Sequence, residues 1–207
     1  MPAQVMQLVM PMNKEIRPNK AELEFLNLAY NRFYDIFDEV MDDSFWHKKK
    51  SYRFVKLEIA FSVYAELLNY EPIKWVIDYL KKTRPPMEAE IGSELFRFIR
   101  NLVNHFPFFD SWDQVYITKS LANWCRPEQS IDRFLTKYAG RDPVKYRFWE
   151  GDKKRMTYLS INFPREYNED EKVYLRDILT EKEGVRFSFI LMKQIIDSQV
   201  ESSNKKA

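Results

Sequence analysis

One of only two histidines in this 207-residue chain lies in a segment whose residue types suit the handling of a phosphodiester. The segment reads Glu94-Leu95-Phe96-Arg97-Phe98-Ile99-Arg100-Asn101-Leu102-Val103-Asn104-His105-Phe106-Pro107. Histidine titrates near neutrality, so His105 can give or take a proton. Arginine stays charged, and Arg100 can hold a phosphate through two parallel hydrogen bonds as negative charge builds. Asn101 and Asn104 add amides that can orient either group. An Arg–His spacing alone is a weak signal. An asparagine directly after the arginine sharpens it.

The element that must carry these residues is a helix over about 87–105. Pro107 marks its end, because the residue before a proline avoids the helical region. At about 100° per residue, Arg100, Arg97, Asn104, Asn101, Glu94 and His105 share an arc of roughly 140°. Leu95, Phe98, Ile99, Leu102 and Phe106 take the opposite arc. This pattern docks the apolar face on a core and turns the polar stripe outward or toward a partner. Arg100 with Asn104, and Asn101 with His105, stand at i,i+4 spacing, where side chains can meet.

The remaining pattern is mostly helical. Asn19 with Glu22 reads as a capping box opening a helix that ends near Asp42-Asp43. A second helix is expected over about 51–69, a third over 73–82 behind Pro72, and another over 128–138 behind Pro127, closed by Gly140. Asp110-Ser111-Trp112-Asp113 reads as the restart of a helix to about Cys125, and Asn168 to Glu171 as a capping box for a short one. Gly184 is expected to separate that helix from a last one over 185–200. The stretch 144–163 reads as a β-hairpin around Glu150-Gly151-Asp152; its second arm alternates in period two, with Met156, Tyr158 or Leu159, and Ile161 and Phe163 competing for the inner face, and the hairpin must lie against the helices to be stable. Residues 1–18 read as an N-terminal arm, 19–201 as one domain and 202–207 as a disordered tail.

Composition narrows the function classes. Hydrophobic residues make up 45% and charged residues 31%, which fits a folded soluble protein. Four glycines leave no glycine-rich phosphate loop, and one cysteine leaves no intrachain disulfide or cysteine-based zinc cluster. A net charge of +2 is not the strong basic excess of a permanent nucleic-acid binder. No leader peptide and no membrane span is legible, so a cytoplasmic setting is expected.

Arg100-Asn101-x-x-Asn104-His105 resembles the Arg-x4-6-His motif of HEPN domains, often written with asparagine directly after the arginine. The resemblance extends over about residues 20–140. It implies a mainly α-helical HEPN-like bundle, with the hairpin near 144–163 as an insertion. It also implies an endoribonuclease that needs no metal or other cofactor, cutting RNA through 2′-OH attack to leave a 2′,3′-cyclic phosphate and a 5′-OH. His105 would move the proton, Arg100 would hold the phosphate, and Asn101 would orient one of them. Asn104, Arg97 and Glu94 would support the site. Family members pair two motif helices across a homodimer. The implied setting is a toxin–antitoxin or anti-phage defence system, with an antitoxin or other defence protein as partner. A HEPN partner of a nucleotidyltransferase antitoxin ranks lower, since no tyrosine directly follows the motif.

Two further readings belong beside this one. His47-Lys48-Lys49-Lys50 could bind an RNA backbone, although a short basic run is more often a solvated loop. The alternative for the whole chain is a non-catalytic helical module that binds RNA or a partner protein through the same polar helix face.

Overall fold

The computed structural model describes residues 19–71, 74, 86–125, 130–150 and 154–204. The helices expected behind Pro72 and at Pro127-Glu128 begin outside these residues.

The chain opens with helix α1, Lys20–Met41. Asn19 caps it as the sequence predicts: its Oδ1 accepts from the Glu22 N–H at 2.9 Å, and Glu22 Oε2 accepts from the Asn19 N–H at 2.8 Å. A single 3₁₀ segment, Asp43–His47, turns the chain into α2, Lys50–Leu67. The motif helix follows as α3, Pro86–His105. Beyond it come strand β1 (Tyr116–Ile117), helices α4 (Lys119–Cys125) and α5 (Ser130–Tyr138), the hairpin β2 (Val144–Glu150) and β3 (Arg155–Ile161), strand β4 (Val173–Tyr174), helix α6 (Leu175–Ile178) and helix α7 (Glu181–Asn204). Both strand pairs, β1 with β4 and β2 with β3, are antiparallel.

Aromatic rings fill the centre. Phe33 of α1, Phe61 of α2 and Phe189 of α7 meet there, with Phe33 stacked on Phe189 at 5.7 Å and Phe61 edge-on to it at 6.0 Å. Helix α7 thus meets both α1 and α2 through these rings. Its Arg186 completes the end of α1, donating to the carbonyls of Val40 and Met41, where a helix leaves acceptors unsatisfied. Arg53 of α2 donates to Glu181 of α7 through both Nε (3.0 Å) and Nη2 (2.8 Å), with Nη1 on the Trp46 and Lys48 carbonyls. The hairpin does lie against helices. Leu159 and Ile161 are buried, Tyr146 packs on Phe187 at 5.0 Å, and Phe163 just beyond β3 stacks on Tyr138 at 5.0 Å.

Three local expectations give way. No helix starts at Asp110. Residues 111–114 form a turn that sends the Trp112 indole into the core, where Nε1 donates to the Leu179 carbonyl at 2.9 Å, and the chain then pairs as β1. The Asn168–Glu171 pattern opens no helix either, because the apolar residues after it, Val173 and Tyr174, pair with Ile117 and Tyr116. Gly184 lies inside α7 rather than before it. A Cβ there would strike the buried Leu179 side chain, so the glycine admits that residue against the helix. Gly140 does close α5, at φ +75°. Helix α7 continues to Asn204.

Candidate functional site

The apolar arc of α3 is as the spacing predicts, and slightly wider: Leu95, Phe96, Phe98, Ile99, Leu102, Val103 and Phe106 are all buried. The polar arc is not simply outward. Helix α3 has neighbours on both flanks. On one side α2 runs antiparallel to it, and on the other α5 does, with Phe98 stacked on Phe134 at 4.5 Å. The edges of the polar arc therefore become seams.

In the α2 seam, Arg100 Nη2 donates to Glu66 at 2.8 Å, and the Ser62 hydroxyl donates to Asn104 Oδ1 at 3.0 Å. In the α5 seam, Glu94 accepts from Lys137 at 2.9 and 3.1 Å and from the Tyr138 hydroxyl at 2.7 Å. Asn101 joins that seam through its Nδ2, which donates to the Ser130 hydroxyl. Arg100 Nη1 also donates to Asn101 Oδ1 at 2.7 Å. The result is a polar bridge, Glu66–Arg100–Asn101–Ser130, crossing from α2 over α3 to α5. Arg100 Nε is buried without an acceptor among the described residues, which leaves part of its donor capacity unused.

Two of the six polar positions stay clear of the seams. Arg97, on the crest between them, and His105, at the end of the helix, are exposed. His105 stands about 140° around the helix from Arg100, on the α5 flank. No hydrogen bond joins the Arg100 and His105 side chains among the described residues, and the guanidinium is held by Glu66 and Asn101. Asn101 makes no hydrogen bond to His105 among the described residues. Its amide is spent on the guanidinium and on Ser130.

The basic run is largely neutralised from within. Lys48 and Lys56 donate to Glu39 at 2.6 and 2.9 Å, and Tyr52 adds a third donor at 2.6 Å. Burial pushes the Glu39 carboxyl up, but the hydrogen bonds from Lys48, Tyr52 and Lys56 outweigh it and hold the group at about 2. Lys50 pairs with Asp113 at 2.5 Å. Lys49 is exposed at the start of α2. That arrangement braces the α1–α2 corner and leaves little free charge for an RNA backbone.

Sequence reasoning missed the partners on α2 and α5: Glu66, Ser62, Ser130, Lys137 and Tyr138. It also passed over Glu58. This half-buried carboxyl lies one turn before Ser62 on the same face of α2, level with the C-terminal end of α3, and desolvation raises its pKa. Tyr138 is pushed up to about 12 by burial and by its hydrogen bond to Glu94. Among the described residues no cluster of three or more histidine, cysteine, aspartate or glutamate side chains could hold a metal ion, and no helix is long and apolar enough to cross a membrane.

No family model, no curated protein and no solved structure matches this chain.

Proposed function

We propose that the chain is an endoribonuclease of the HEPN type, acting as a homodimer on RNA by attack of a ribose 2′-oxygen on the adjacent phosphorus. The observation that carries this reading is an exposed imidazole at the free end of a helix whose preceding turn holds a braced guanidinium. The new bond joins the 2′-oxygen to phosphorus, and the bond from phosphorus to the 5′-oxygen breaks. One His105 takes the 2′-OH proton, and a protonated His105 from a second copy gives one to the leaving oxygen. Two copies supply what one helix cannot, since each brings a single imidazole. Arg100 holds the phosphate oxygens, and Asn101 positions the guanidinium rather than the imidazole. The requirement for a 2′-OH restricts the reaction to RNA. A toxin or phage-defence setting, restrained by an antitoxin, goes with this assignment through the resemblance of the motif.

The test is incubation of the purified protein with RNA in EDTA, beside His105→Ala and Arg100→Ala. Chelator-resistant cleavage ending in a cyclic phosphate, lost in both variants, supports the nuclease. The second reading is a module that binds RNA or a protein through the same face, and the engagement of Arg100 by Glu66 and Asn101 favours it. Intact RNA with all three proteins, or equal cutting by all three, would decide for that module.

A further inference from the structure

The chain leaves α3 through a tight turn that puts an aromatic ring into solvent beside His105. Phe109 N–H reaches back to the Phe106 carbonyl at 3.5 Å, closing residues 106–109. Phe106 is buried at 4% exposure and anchors the turn, while Phe108 is 72% exposed. Phe108 is not loose. Its ring lies edge-on to Phe106 at 5.8 Å and against Phe109 at 4.9 Å. The contacts then continue as a row. Phe109 meets Tyr116 at 5.6 Å, and Tyr116 meets Tyr174, its cross-strand partner, at 5.7 Å.

Two cations lie over the tyrosine rings at the far end of this row, which leaves Phe108 as its open face. The Lys172 ammonium lies 4.5 Å from the Tyr116 ring, and the Arg176 guanidinium 4.3 Å from the Tyr174 ring. Arg176 is fixed by donating to the Asp113 carbonyl at 2.9 Å. Of the nearby carboxylates, Asp113 is held by Lys50, Asp177 stands 3.9 Å from Arg176, and Asp110 is exposed.

A single exposed phenylalanine needs no explanation. An exposed ring packed against two others, with cations held over the two tyrosines beyond, has the chemistry that holds an unpaired base: one open π-face for stacking and positive charge for the backbone. Phe108 is three residues from His105, so their Cα atoms stand within roughly 11 Å. We propose that Phe108, supported by Phe106 and Phe109, forms a stacking subsite for single-stranded RNA, seating a base next to the phosphodiester that His105 serves. This rests on the nuclease reading and names its substrate as unpaired RNA.

The experiment measures binding of a short labelled single-stranded RNA by fluorescence anisotropy. It uses the full chain with His105→Ala, so that the probe survives. Added to that background are Phe108→Ala, Phe108→Leu and Phe108→Trp. Stacking predicts affinity about fivefold to a hundredfold weaker for alanine and leucine and near the background value for tryptophan, with duplex RNA insensitive to all three. Lys172→Ala should lower the dependence of binding on salt. Unchanged affinity with alanine, or full retention with leucine, overturns the subsite. So does a Phe108→Ala chain that binds RNA normally but sediments at half the mass, because the ring would then belong to a contact between copies. Should the His105→Ala and unmodified chains both ignore RNA, the nuclease reading falls and takes the subsite with it. Cleavage with Phe108→Ala indistinguishable from the unmodified protein sinks the subsite alone.

Discussion

Removing the Arg53 side chain tests how the bundle holds its site. Arg53 is 10% exposed and Glu181 16%, so their pair is largely withdrawn from water. Arg53→Met deletes two hydrogen bonds to the carboxylate and two to the Trp46 and Lys48 carbonyls. The methionine keeps much of the volume. What remains is a buried carboxylate without its counter-charge, the costly outcome of breaking such a pair, at about 3–5 kcal/mol. Against a typical stability of about 5–15 kcal/mol this is a large share. For a chain of this size it amounts to a fall in Tm of roughly 10 °C. Urea and thermal melts followed by circular dichroism measure it, with Glu181→Met and the double variant completing a cycle. The double variant should be more stable than either single change, because no orphaned charge is left. A loss below about 1 kcal/mol for Arg53→Met, or a double variant whose cost is the sum of the two, would falsify the reasoning. Since α2 carries Ser62 and Glu66, the single variant should also disturb Arg100.

Two other outcomes follow from particular contacts. Glu39 has its pKa lowered from 4.5 to about 2, so the stabilisation it brings is complete above about pH 4.5 and disappears as pH falls through 2. Its size is at most about 3 kcal/mol and nearer 2 after solvent screening. Glu39→Gln should therefore lose less stability than the unmodified chain between pH 6 and pH 2, and equal losses in acid melts would contradict the assignment. Glu66→Gln releases Arg100 from an exposed ion pair worth about 0.5–1 kcal/mol, so single-stranded RNA should bind about two- to fivefold more tightly with almost no change in Tm. Unchanged or weaker binding would show that Glu66 aims the guanidinium rather than competing for it.

Signals that act over a few residues could be read in advance. Asn19 and Glu22 cap α1 because both halves of the capping box lie within one turn, Pro107 ends α3, and Gly140 ends α5. The hairpin itself was legible from its alternation, whereas its inner face was not: Met156 and Tyr158 compete with Leu159 for it, and Leu159 and Ile161 are the buried ones. The failures share one cause, a tertiary partner far along the chain. Asn168 to Glu171 carries the local pattern of a helix start, but Val173 and Tyr174 find β1 about 57 residues upstream and pair with it instead. Gly184 looks like a helix breaker until Leu179 is seen against it. At the site, the residue types and the buried face of α3 were legible, whereas the use of its polar face was not. Glu66 and Ser130 stand 34 and 29 positions from their partners, and nothing in the motif announces them. A helical wheel assigns a residue to an arc, but it does not say whether water or another helix faces that arc.

Among the described residues the hairpin pairs two strands with each other and with no third, so each carries an outer border of main-chain amides and carbonyls. Such borders recruit extended segments from other molecules. Here Lys145 and Arg147 on β2 and Arg155 on β3 are exposed along them. Bringing a second strand alongside would crowd these like charges together, so the hairpin can keep an open border without templating fibrous self-association.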